Sequence, residues 1–167
     1  MGKNEGRIVT VVVLSAVIIT SSMLFYTVLT FPPREGFPTI SVLNQDLLAV
    51  GLIQTNNASQ FSFNVLVQNY FGHVGYFLVD VWRGQIIGDT NPPVNSCTHW
   101  GNFSRIIADS EEHMFTINDT LYTTQSVERH IYYCVLYIFD VNTGEFEHTR
   151  NALGEAVMVW MQVNVTA

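Results

Sequence analysis

Residues 61–69, FSFNVLVQN, read as a β-strand with one buried face: Phe61, Phe63, Val65 and Val67 alternate with Ser62, Asn64, Leu66 and Gln68. Successive strand side chains point to opposite sides, so this period of two lines one surface with large apolar groups. The turn NYFGHVG follows, with Gly72 and Gly75 able to take positive φ. Residues 76–87 then read as a second strand, apolar at Phe77, Val79 and Val81. Further on, residues 131–141, IYYCVLYIFDV, are apolar on both faces, the pattern of a central strand covered on both sides. Asn142-Thr143-Gly144 turns it, with Gly144 the expected positive-φ position. The last strand, 156–165, directs Val157, Val159, Met161, Val163 and Val165 one way. Ala156, Met158, Trp160, Gln162 and Asn164 face the other way, outward.

Weaker signals fill the gaps. One strand is expected within 39–50 and a short one at 114–118, while Glu145 and Glu147 around Phe146 mark a strand edge. Residues 121–129 are ambiguous. Residues 88–101 read as an irregular loop, long enough to need either a function or a crosslink. Short strands at this spacing, with no amphipathic helix between them, predict a mainly β domain built as an antiparallel β-sandwich.

Ahead of the domain lies IVTVVVLSAVIITSSMLFYTVLT, residues 8–30, which carries no charge. An α-helix needs roughly 20 apolar residues to cross the hydrocarbon core. The run is long for a signal-peptide core and leads into Phe31-Pro32-Pro33 without a small-x-small cleavage site, so an uncleaved anchor is expected. Lys3 and Arg7 precede it and Arg34 follows, which orients the N-terminus toward the cytoplasm. The expected organisation is a cytoplasmic tip at 1–7, a transmembrane helix at 8–30, a Pro-rich membrane exit at 31–38 and an extracytoplasmic domain at 39–167. That places the protein in the cell membrane as a single-pass chain with its C-terminal domain outside.

The formal charge of the 167-residue chain is −7. From Glu35 onward four Arg stand against thirteen Asp or Glu, a balance of −9. A surface so acidic repels nucleic acid, and no nucleic-acid role is expected. Four Asn-x-Ser/Thr sequons, at Asn57, Asn102, Asn118 and Asn164, all follow the apolar run and fit an outside, glycosylated domain. Outside the cytoplasm the only two cysteines, Cys97 and Cys134, are expected to pair. Closing that loop would contribute about 3–4 kcal/mol in the chain-entropy picture.

A likeness follows from several short motifs. Pro32-Pro33-Arg34-Glu35-Gly36-Phe37 matches P-P-x-E-x-F after a single span, and Asn69-Tyr70-Phe71-Gly72 with Tyr76-Phe77 matches N-x-x-G with aromatics after it. Leu136-Tyr137-Ile138-Phe139 to Phe146, and Val163-Asn164-Val165-Thr166, complete the set. In these pieces the chain resembles archaeal membrane proteins carrying domain of unknown function 1616, although several of those have more spans. The resemblance implies an immunoglobulin-like extracytoplasmic domain and an archaeal source, and no mechanism.

Chemistry is sparse. A copper site on a β-sandwich would draw on His73, Cys97, His99, His113, His130, Cys134, His148, Met158 and Met161, but these lack the tight Cys–His–Met loop such sites use. Asp109, Glu111 and Glu112 beside His113 form an acidic cluster, read most simply as a solvated loop. Neither a nucleophile elbow nor a phosphate or dinucleotide loop is present. The aromatics Tyr70, Phe71, Tyr76, Trp82 and Trp160 fall near turns or on outward positions, and together would form a contact surface. The expected protein is therefore a non-enzymatic accessory or structural subunit. It needs no cofactor, sits in the lipid bilayer and docks membrane-protein or cell-surface partners. A copper or redox-assisting module and a glycan- or envelope-binding domain are the alternatives.

Overall fold

A computed structural model describes residues 36–151 and 153–167. The expected tip, transmembrane run and residues 31–35 of the membrane exit lie outside the described residues. Among the described residues no helix is long and apolar enough to cross a membrane.

Nine strands are described: β1 (Thr39–Leu43), β2 (Leu52–Asn56), β3 (Gln60–Gln68), β4 (Gly75–Ile86), β5 (Thr98–Ile107), β6 (Glu112–Thr120), β7 (Val127–Asp140), β8 (Glu145–His148) and β9 (Met158–Thr166). They form a two-sheet β-sandwich. The smaller sheet runs β1-β3-β6, and the larger runs β2-β9-β7-β4-β5 with β8 added to β7.

The alternation explains the layers. Phe63, Val65 and Val67 of β3 are fully buried against Phe77, Val79 and Val81 of β4, with Leu136 and Cys134 of β7 and Met161, Val163 and Val165 of β9 in the same core. Tyr132 lies at its centre, meeting the Phe61 and Phe63 rings edge-on at centroid distances of 6.0 and 5.4 Å.

Strand β7 is apolar on both faces because both are covered, by different means. Its inner residues join the core. Its outer Ile131 and Tyr133 pack with Ile86, Trp82, Val94 and Cys97 in a second cluster, where the segment after β4 folds back over the sheet. The Tyr133 hydroxyl donates to the Pro92 carbonyl at 2.8 Å and fastens that cover.

Three expectations are corrected. The sandwich is not antiparallel throughout, because β2 pairs in parallel with β9, Ile53 beside Val163 and Thr55 beside Val165. The irregular segment ends at Cys97 rather than Gly101, and residues 98–107 form β5 along the free edge of β4. Finally, Cys97 and Cys134 are both free thiols. Cys134 points into the main core and Cys97 sits in the second cluster, so the larger sheet separates them. Burial pushes the Cys134 thiol up to about 12 and raises that of Cys97 as well.

Candidate functional site

The outer face of the larger sheet carries aromatic side chains in register. Trp160 on β9 stands opposite Tyr133 on β7, Tyr133 opposite Trp82 on β4, and Trp82 opposite His99 on β5. Directly opposed residues on neighbouring strands have Cβ atoms about 5 Å apart, so the four rings form one row across the sheet. Trp82 and His99 meet edge-on at 5.1 Å. Both are held by Asp80: Trp82 Nε1 donates to Oδ2 at 2.9 Å, and His99 Nε2 lies 2.7 Å from Oδ1. The carboxylate thus engages both rings.

A second aromatic group lies nearer the β4 N-terminus. Tyr76, Phe139 and Phe146 pack around one another at centroid distances of 5.1–6.0 Å. The Tyr76 hydroxyl bonds the Ser104 hydroxyl across β4 and β5. Between the two groups, Tyr137 meets His148 at 4.3 Å with the rings tilted by 30°. Burial, and then the charge of Asp80, raise the Tyr137 pKa.

Of the five expected contact residues, Trp82 and Trp160 share the row, and Tyr76 anchors the second group. Phe71 lies at the end of the sandwich, stacked on Phe77 at 6.3 Å. Tyr70, beside it, is half exposed. Trp160 keeps 47% of its surface open, whereas its neighbour Tyr133 keeps 8%. Trp160 is therefore the ring a partner would meet.

The remaining expectations fall out as follows. Asn57, Asn102 and Asn118 are exposed, whereas Asn164 is half-buried within β9 with its Oδ1 enclosed and unpaired. Asp109 reaches across to the β3–β4 connection, accepting from the Gly72 amide at 2.8 Å, and Glu112 accepts from Gln68 at 2.9 Å. The copper donors are not gathered: among the described residues no three His, Cys, Asp or Glu converge as a metal site.

The sequence reading missed a polar hub between the sheets. Asp119 of β6 accepts at Oδ2 from Arg83 Nη1 and from Trp100 Nε1, each at 2.9 Å, and from the Tyr132 hydroxyl. The Thr120 amide donates to Oδ1 at 2.7 Å. One carboxylate thus ties the smaller sheet to three strands of the larger. A β-bulge makes this possible: Val81 pairs with Gly101 and Trp82 with His99, so Trp100 is the extra residue and turns inward. Burial, reinforced by Asp119, pushes the Tyr132 pKa strongly upward. Burial alone would lower that of Arg83, but the neighbouring Tyr132 hydroxyl and its ion pair with Asp119 outweigh this and raise it. Nearby His130 lies 3.0 Å from Glu128, yet the pair is misaligned for a hydrogen bond and Nε2 is buried without a partner.

No family model matches the chain, and no curated protein sequence matches it. Among solved structures it is similar to the CARDB domain of a Pyrococcus furiosus protein in complex with di-metal ions. That match has 16% identity and a TM-score of 0.48, and covers 80% of this chain and 90% of that one. It is also similar to part of a Listeria innocua β-glucosidase in complex with glucose, at 13% identity and TM-score 0.47, over 82% of this chain and 17% of that one. A third is Spo0M, a sporulation control protein from Bacillus subtilis, at 15% identity and TM-score 0.43, over 79% of this chain and 50% of that one. These likenesses are of sandwich outline and carry nothing about ligand or activity.

Proposed function

We propose that this chain is a single-pass membrane protein whose outward-facing, immunoglobulin-like sandwich is a non-catalytic accessory or structural subunit of a membrane complex or surface assembly. The uncharged run at 8–30 supports the anchor, and the likeness to proteins with domain of unknown function 1616 supports an extracytoplasmic setting. The observation that carries the docking role is the row Trp160–Tyr133–Trp82–His99, with one indole left half open at its end. Large aromatic rings at the centre of a contact carry a disproportionate share of binding energy.

Blue-native electrophoresis of gently solubilised membranes tests this reading. The wild-type chain is expected in a complex larger than itself, and Trp160→Ala to release it while leaving the fold intact. Migration as a free monomer in every mild detergent rejects the reading. The same open indole favours a glycan- or envelope-binding module as second reading, distinguished by retention on envelope polysaccharide with no protein partner.

A further inference from the structure

Asn102 lies on the face that carries the aromatic row. In the β4–β5 register it stands opposite Asp80, the residue that holds Trp82 and His99. Its neighbours along β5 fix the facing: Phe103 turns inward to the main core, while the Ser104 hydroxyl bonds that of Tyr76 on the outer side. Directly opposed strand residues have Cβ atoms about 5 Å apart, and diagonal ones about 7–8 Å. Asn102 therefore has the Asp80 carboxylate beside it and the Trp82 ring one diagonal step away.

Asn102-Phe103-Ser104 is also one of the four Asn-x-Ser/Thr sequons, and Asn102 is exposed. The other three are placed differently. Asn57 belongs to the turn between β2 and β3, where its Oδ1 accepts from the Thr123 amide at 2.9 Å. Asn118 faces out from the smaller sheet opposite Ser62, between Thr116 and Thr120. Asn164 shares the aromatic face but is half-buried, with its Oδ1 enclosed. Asn102 combines an open amide with a ring and polar groups within reach of a first sugar.

We infer that Asn102 carries an N-linked glycan whose first sugar lies against Trp82 and His99. The inference rests on the outward-facing reading proposed above, because such sequons are used on secreted surfaces. In the modification, Nδ2 forms a bond to the anomeric carbon of a sugar delivered on a lipid phosphate carrier. The carbon–oxygen bond to that phosphate breaks, the carrier leaves with its electron pair, and Nδ2 releases one of its two protons. The seat suits a sugar. An indole offers an apolar surface to the C–H groups of the sugar ring. The Asp80 carboxylate accepts from sugar hydroxyls, and the His99 side chain, 45% exposed, offers them a ring nitrogen. Trp160 lies three strand spacings from His99, about 14 Å, so the sugar and a protein partner take opposite ends of the row.

The test applies peptide mass spectrometry and hydroxyl-radical footprinting to the full chain purified from its native membranes. The Asn102 peptide is expected to carry hexose or N-acetylhexosamine. Removing the sequon by Asn102→Gln or by Ser104→Ala is expected to raise oxidation of Trp82 about twofold, as when half of an indole surface is uncovered, and to leave Trp160 unchanged. Agreement of the two variants separates loss of the sugar from loss of either side chain. Asn118→Gln should leave Trp82 as in the wild type. An Asn102 peptide without sugar overturns the inference, as does a glycosylated Asn102 whose removal leaves Trp82 oxidation unchanged or raises it in one variant alone. These results leave the subunit reading standing, since that reading is decided by electrophoretic migration. Free migration of a chain glycosylated at Asn102 rejects the subunit and keeps the sugar.

Discussion

The two ends of this sandwich are built from opposite materials. At the Gly36 end the buried polar group is a neutral amide, Asn69, and the surface carries open aliphatic groups such as Val141 and Ile106. At the far end open apolar groups such as Ile87 and Tyr122 also stand at the surface, but charged groups lie inside, as the Asp119 hub with Arg83, Tyr132, Trp100 and neighbouring His130. Apolar contact between sheets is non-directional and tolerates sliding. A carboxylate shared by three donors on three strands fixes one register of sheet against sheet. The charged hub therefore fixes the packing of sheet on sheet at one end in a way that the Gly36 end lacks.

The largest effect should come from removing the hub. Asp119→Ala leaves Arg83, Trp100 and Tyr132 without their shared acceptor. Deleting one partner of a buried pair costs about 3–5 kcal/mol, but the Arg83 side chain is 35% exposed and recovers part of its hydration. Chemical denaturation of residues 36–167 should therefore show a loss of about 2–4 kcal/mol. Tyr132→Phe keeps the ring in the core and removes one donor of three, for an expected loss of about 1–2 kcal/mol. If both variants change stability by less than about 0.5 kcal/mol, the range of ordinary surface substitutions, the hub is no fastening and the contrast fails.

Acid should act on the same end. Desolvation lowers the His130 pKa; the Arg83 charge adds to this and Glu128 opposes it. In the unfolded chain the imidazole returns to its ordinary value near 6.5. Below that pH the unfolded state takes up a proton that the folded state refuses, so stability is complete above about 6.5 and falls as pH drops toward the lowered folded value. The slope in that window is at most about 1.4 kcal/mol per pH unit, one proton's worth. His130→Gln is expected to flatten it in denaturation curves taken between pH 7 and 5; an unchanged slope assigns the acid sensitivity elsewhere.

How much of this was legible depended on whether burial imposed a period. Strands β3, β4, β7 and β9 each bury one face or both, and their alternation is written into residues such as Phe63, Val79, Leu136 and Val163. Strand β5 buries only Ile107 fully and is interrupted by Gly101 and the Trp100 bulge, so THWGNFSRII shows no period. Strand β2, LIQTN, is short, lies at an edge and has no buried residue. The disulfide expectation failed because cysteine spacing says nothing about which side of a sheet each thiol occupies. The hub did leave a trace. Continuing Phe115 and Ile117 by one further step of two places Asp119 on the core face, and the same step from Phe77, Val79 and Val81 places Arg83 there. Two opposite charges at inward ends of strands are a legible signal, lost when the short strand was ended at Asn118.

The smallest stability effect should fall at the Gly36 end. Val141→Ser removes an aliphatic group that is already 84% in water, so little buried area is lost. Its change should stay within about 0.5 kcal/mol for residues 36–167 in solution. The contrast with Asp119→Ala then becomes a dissociation of roles. The interior variant should lose stability, whereas Val141→Ser should keep its denaturation midpoint in solution. A midpoint that falls for Val141→Ser as far as for Tyr132→Phe would show that this residue is structural after all. The open aliphatic surface at this end would then be one more part of the core's support, and the division between the two ends would not stand.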